Sequence, residues 1–145
     1  MKYLFFSIIL FIGLQVKPNP HNGSITIKVE GVKERRGNIA AMIFNQAEGF
    51  PADPAFAFAS AEIDIEEEEP TLHFANLPPG NYAISLIHDV NGNSRLDKNF
   101  FGIPKEPFGF SNNLSILTGL PKFHEAAIEV GREPLQSTIK LIEVF

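Results

Sequence analysis

From Ser24 to Glu30 apolar and polar side chains take turns, Ile25, Ile27 and Val29 alternating with Thr26, Lys28 and Glu30. A period of two is what a strand buried on one face requires, and it excludes an amphipathic helix, whose apolar residues recur every three or four positions. The rhythm returns from Asn38 to Phe44, with Ile39, Ala41 and Ile43 on one parity and Met42 and Phe44 on the other. A polar stretch from Gly31 to Gly37 separates the two segments, so a hairpin is expected. Three more strands are predicted at about Ala57 to Ile65, Thr71 to Leu77 and Tyr82 to Asp89, and two late ones near Glu125 to Val130 and Ser137 to Val144. Breaks fall where Gly49, Pro51 and Pro54 cluster, at Glu66 to Pro70, and at Leu77-Pro78-Pro79-Gly80.

No segment offers the helix that a parallel crossover needs. The predicted fold is therefore all-β: a seven-stranded immunoglobulin-like or transthyretin-like sandwich with one long ordered loop. That loop, Val90 to His124, contains Phe100, Phe101, Phe108, Phe110 and Phe123. Disorder there would leave much apolar surface in water, so the phenylalanines are expected to cap the sandwich core.

Ahead of the first strand, Lys2 is followed by an apolar run from Tyr3 to Leu14 with no charge until Lys17. This is the grammar of a secretory leader, short for a bilayer span. Residues 1–22 are read as signal peptide and linker and residues 23–145 as one domain, exported to the periplasm or secreted. The absence of Cys removes disulfides, a lipid-anchored cysteine and a thiol nucleophile. A net charge of -5 disfavours nucleic acid, leaving an exported or cell-surface partner, with the membrane engaged only through the leader before processing.

The loop opens as Asp89-Val90-Asn91-Gly92-Asn93-Ser94-Arg95-Leu96-Asp97. Oxygen-bearing side chains at every second residue, with a backbone carbonyl at the seventh, are how a short loop wraps ligands around Ca²⁺. The candidate metal set is Asp89, Asn91, Asn93, Arg95 through its carbonyl, and Asp97. Ser94 stands where such loops have glycine, and Phe100 where they have a bidentate carboxylate, so the affinity expected is weak. The other reading of the same residues is a metal-free turn in which Asp and Asn bond their own backbone.

The succession LPPGNYAISLIHDVNGNSRLD, GIPKEPFGFSNN and GLPKFHEAAIEV resembles the bacterial family catalogued as domain of unknown function 2141, over essentially everything after the leader. The resemblance implies an exported β-sandwich with no assigned activity. Members tend to carry Asp-x-Asn-x-Asn-Gly-x-x-Asp, from which Ser94 departs at the glycine.

Catalytic readings find little purchase. His88 and Asp89 are adjacent in a strand and point to opposite faces, so they form no dyad, and His88 is expected as a hydrogen-bonded residue at the core rim. His73 is expected in solvent, and the four histidines show no zinc spacing. Gly109-Phe110-Ser111-Asn112-Asn113 lacks the second glycine and the following helix of a nucleophile elbow. The chain is therefore expected not to be an enzyme but an exported interaction or structural module whose Asp89 to Asp97 loop holds Ca²⁺ weakly if at all. Two alternatives remain: hydrolysis of envelope glycans by carboxylates from Asp89, Asp97 or Glu106, and carriage of an apolar ligand between the sheets.

Overall fold

Alternation places one row of side chains from each long strand against a facing layer, and that is the architecture of the computed structural model, which describes residues 19–66 and 68–143. The leader expected at the N-terminus lies outside the described residues. The strands are β1 (Gly23–Glu30), β2 (Asn38–Phe44), β3 (Ala59–Asp64), β4 (Thr71–Leu77), β5 (Gly80–Asp89), β6 (Phe108–Phe110), β7 (Ile128–Val130) and β8 (Pro134–Lys140), with one helical turn, α1 (Phe123–Ala126), before β7. They form a three-stranded sheet in the order β4-β1-β8 and a five-stranded sheet in the order β3-β2-β5-β6, with β7 also on β5. Ile25, Ile27 and Val29 of the first sheet join Ile39, Ile43, Ile84 and Leu86 of the second in one buried cluster. The protein is thus a mostly-β, sandwich-like domain of two sheets.

Several expectations are corrected by the topology. β1 and β2 make no hairpin: β1 pairs with β4 and β8, whereas β2 pairs with β3 and β5. The Gly31 to Gly37 segment crosses between layers instead of turning within one. Among the described residues eight strands stand where seven were expected, because β6 arises inside the stretch that shows no alternation of its own. Three residues suffice there, since Ser85 to Ile87 offers an open strand edge and Phe108 to Phe110 pairs with it. Part of the predicted strand at Glu125 to Val130 is helical turn, and the last strand begins at Pro134, in parallel register with β1 from Ser24↔Pro134 to Glu30↔Lys140. The first sheet is consequently mixed.

β5 is buried on both faces. Its inward row is Tyr82, Ile84, Leu86 and His88, and its outward row of Ala83 and Ser85 is also covered. The cover is a second, aromatic cluster on the outer side of the five-stranded sheet. There Phe50 meets the rings of Phe44, Phe110 and Phe123 edge-on at centroid distances of 5.4, 6.3 and 6.3 Å. Gly109 lies opposite Leu86 and faces the core, where a Cβ would stand 2.7 Å from the Ile139 Cγ2. Glycine is what lets β6 approach β8 so closely.

Ser111 closes the gap beside β5. Its hydroxyl accepts the Ile84 N–H at 2.9 Å and donates to the Ala126 carbonyl at 2.6 Å, and it is wholly buried. The acidic turn after β3 is held by ion pairs, Glu68 with Arg35 at 3.1 Å and Glu69 with Lys28 at 2.7 Å.

Candidate functional site

The strand register of β5 delivers Asp89 to the base of the long loop, fully buried, with Asn38 of β2 opposite it. Buried carboxylate oxygens need partners, and three backbone amides supply them: Gly92 N–H at 2.8 Å and Asn93 N–H at 3.1 Å donate to Oδ1, and Ser94 N–H at 2.5 Å donates to Oδ2. Gly92 and Ser94 both adopt positive φ, 71° and 59°. Ser94 thus takes the left-handed conformation that glycine adopts freely, and the tight turn survives the substitution at some steric cost.

Glu106 performs the same service from the far end of the loop. It is 6% exposed, and Oε1 accepts the Val90 N–H at 3.0 Å while Oε2 accepts the Asp97 N–H at 3.1 Å. The Lys105 N–H donates to the Asp97 carbonyl at 2.7 Å, which ties the two arms directly. Two buried carboxylates therefore collect five backbone donors and fix residues 89–106 as one unit.

Of the predicted metal set, Asn91, Asn93 and Asp97 do come together. The Asp97 carboxylate accepts Asn91 Nδ2 at 2.6 Å and Asn93 Nδ2 at 3.0 Å. Those bonds, Asn93 before Asn91, hold its carboxyl below the ordinary aspartate range, with Lys105 adding an attractive charge. The amide oxygens turn back onto the chain: Asn91 Oδ1 accepts Asn93 N–H at 3.2 Å and Asn93 Oδ1 accepts Arg95 N–H at 2.9 Å. Asp89 faces the amides named above. Among the described residues no group of three or more His, Asp or Glu side chains is placed to hold a metal ion.

Beyond Asp97 the chain makes a small hairpin that strand alternation does not announce. Lys98 and Pro104 bridge its base. Asn99 organises the tip: its Oδ1 accepts the Phe101 and Ile103 N–H groups at 2.9 and 3.0 Å, and its carbonyl accepts Gly102 N–H at 2.9 Å. The Asn99 N–H in turn donates to the Ile103 carbonyl at 2.8 Å. Phe100 and Phe101 stand at the tip, 98% and 83% exposed, their rings edge-to-face at 5.6 Å. The expected capping role is therefore corrected for these two. Phe108, Phe110 and Phe123 pack against the domain because β6 and α1 bring them there, whereas the hairpin projects the other pair away. The only sequence signal was Asn99 and Gly102 bracketing the aromatic pair, a turn pattern.

A polar cleft of about 390 Å³ borders the loop, lined by Lys33, Arg36, His88, Lys105, Glu106 and Glu143 among others. Its charges are mostly paired, Lys33 with Glu143 at 2.5 Å and Arg36 with Glu34 at 2.6 Å. His88 is 1% exposed and its Nε2 lies 2.9 Å from the Arg36 carbonyl, as a rim histidine should. His73 is exposed, with Nδ1 3.0 Å from the Thr26 hydroxyl.

A family model described as "Uncharacterized protein conserved in bacteria (DUF2141)" matches residues 27–138, more than half of the chain and including every element from within β1 to within β8. No curated protein and no solved structure matches the sequence.

Proposed function

The chain belongs to the DUF2141 family, and from that premise we propose that it is an exported, non-catalytic β-sandwich of immunoglobulin-like or transthyretin-like type that acts as an interaction module. The observation that carries this reading is the use made of Asp89 and Glu106. Both are buried and accept five backbone amides of one loop, Glu106 from the wall of the polar cleft, so their oxygens serve the loop's backbone. Their effect is rigidity, and the rigid loop ends in an aromatic tip exposed to solvent. A glycan hydrolase gains less support, since Asp89 and Glu106 are engaged in this way and the Asp97 carboxylate is turned to Asn91 and Asn93. A carrier of apolar ligands does too, since Ile25, Ile27, Ile39, Ile43, Leu72 and Ile84, all 0% exposed, occupy the space between the sheets.

Replacing Phe100 and Phe101 together with serine tests the module. Circular dichroism and the melting temperature should be unchanged, while chemical crosslinking to envelope components should be lost. Persistence of the crosslinks would refute the assignment of the contact surface. Export is tested by the mass of the mature protein, which should begin within residues 15–23.

A weak Ca²⁺ site at Asp89, Asn91, Asn93, the Arg95 carbonyl and Asp97 is the second reading. It is favoured by the gathering of the Asn91, Asn93 and Asp97 side chains at one point of the loop. The affinity expected is a Kd of roughly 10⁻⁴ to 10⁻³ M. Melts in millimolar calcium and in chelator should differ by mass action; superimposable curves end this reading.

A further inference from the structure

We propose that the hairpin at residues 98–104 docks the protein on anionic phospholipid bilayers, a deepening that rests on the interaction-module reading above. Exposed phenylalanines are common singly, but two in edge contact at the tip of a braced turn make one apolar knob, and Ile103, 46% exposed, extends it. Water gains nothing from such a knob, and a bilayer interface does.

The backbone of the tip is largely prepared for an apolar medium. Hydrocarbon offers no partner to a free amide. The Phe101, Gly102 and Ile103 N–H groups are all accepted by Asn99, Pro104 has no amide hydrogen, and the Phe100 N–H, without an acceptor among the described residues, is left to a headgroup oxygen. The tip can therefore leave water without stranding these donors.

Charge gives the lipid type. Residues 95–105 hold three cations, Arg95, Lys98 and Lys105, against one carboxylate, in a chain of net charge -5. All three cations are exposed, and among the described residues none is in an ion pair. Asp97, the one carboxylate, is turned to Asn91 and Asn93. Exposed cations at the base of an apolar point, on an otherwise acidic protein, are complementary to anionic headgroups. No helix among the described residues is long and apolar enough to cross a membrane.

The chain contains no Trp, so Phe101→Trp in the full chain gives a reporter at the tip alone, unaffected by whatever the apolar N-terminal run does. Titration with phosphatidylcholine–phosphatidylglycerol vesicles should shift its emission to the blue and make it quenchable by brominated lipid chains, with a much smaller response to phosphatidylcholine alone. Adding Phe100→Ser should weaken partitioning about tenfold, and adding Lys98→Gln with Lys105→Gln roughly thirtyfold at low salt. No shift, or co-sedimentation without a shift, overturns the proposal. So does a shift that appears without vesicles and grows with protein concentration, which would mean docking of a second copy. Amide exchange on the same sample separates the two failures: protected Val90 and Asp97 amides with no shift sink only the membrane inference, whereas unprotected amides sink the rigid-loop reading beneath it.

Discussion

Glu106 accepts the backbone N–H of Asp97 at 3.1 Å from a position that is 6% exposed, so a buried side chain at one end of the loop fixes the backbone at the end of the Asx-rich turn. Its other oxygen holds Val90, at the exit of β5. Glu106→Ala leaves both donors without acceptors and should lower unfolding free energy by about 2–4 kcal/mol. Glu106→Gln keeps one acceptor oxygen and should cost roughly half as much. Urea denaturation measures both; equal losses would contradict the division of labour between the two oxygens.

Asp89 and Asp97 look equivalent as letters and are not. Asp89→Ala removes the acceptor of three amides from a fully buried position and should cost about 3 kcal/mol. Asp97→Ala, at a more accessible position, should change the melting temperature much less. Similar thermal losses for the two variants would count against the clasp.

The pH response of Asp97 has a definite sign. Its folded pKa is lowered by the Asn93 and Asn91 amides, so the unfolded chain binds a proton at higher pH than the folded one. The contribution to stability is present above the ordinary aspartate value of 3.8 and fades as pH falls through the lowered one. Carboxyl NMR should place the Asp97 midpoint below 3.8, and Asn91→Ala with Asn93→Ala should move it upward. An unmoved midpoint would assign the shift elsewhere.

Ser94 holds φ 59°, kept there by the bond from its N–H to Asp89 Oδ2. Ser94→Gly should therefore stabilise the protein by about 0.5–1 kcal/mol, the relief of left-handed strain less the added chain entropy of glycine. A melting temperature that falls would show that the serine side chain matters in a way its backbone conformation does not suggest.

Gly109→Ala should destabilise by about 1–3 kcal/mol through overpacking, since the new methyl meets Ile139 at 2.7 Å and the Lys140 carbonyl at 3.1 Å. The effect should be read against Gly102→Ala, where nothing lies within 4 Å and the cost comes only from φ 78°. If both variants melt alike, close approach of β6 to β8 is not what glycine serves at this position.

Strand identity was written in the sequence because alternation is local: β2 and β4 fall at the predicted residues, and β1 and β5 begin one and two residues early. Strand partnership was not, since a row of Ile25, Ile27 and Val29 suits any apolar face, and only the packed layers send β1 and β2 to different sheets. The site divides the same way. The oxygen-rich turn from Asp89 to Asp97 was visible as spacing, and its local bonds follow from residues a few positions apart. Glu106 reaches Val90 across a long loop, a pairing no spacing rule encodes. Phe100 and Phe110 illustrate the limit most simply: the same side chain, 98% exposed in one and 5% in the other. Hydrophobicity is a property of the residue, but burial depends on whether a strand edge stands near enough to receive it, and that is decided only when the sheets have assembled.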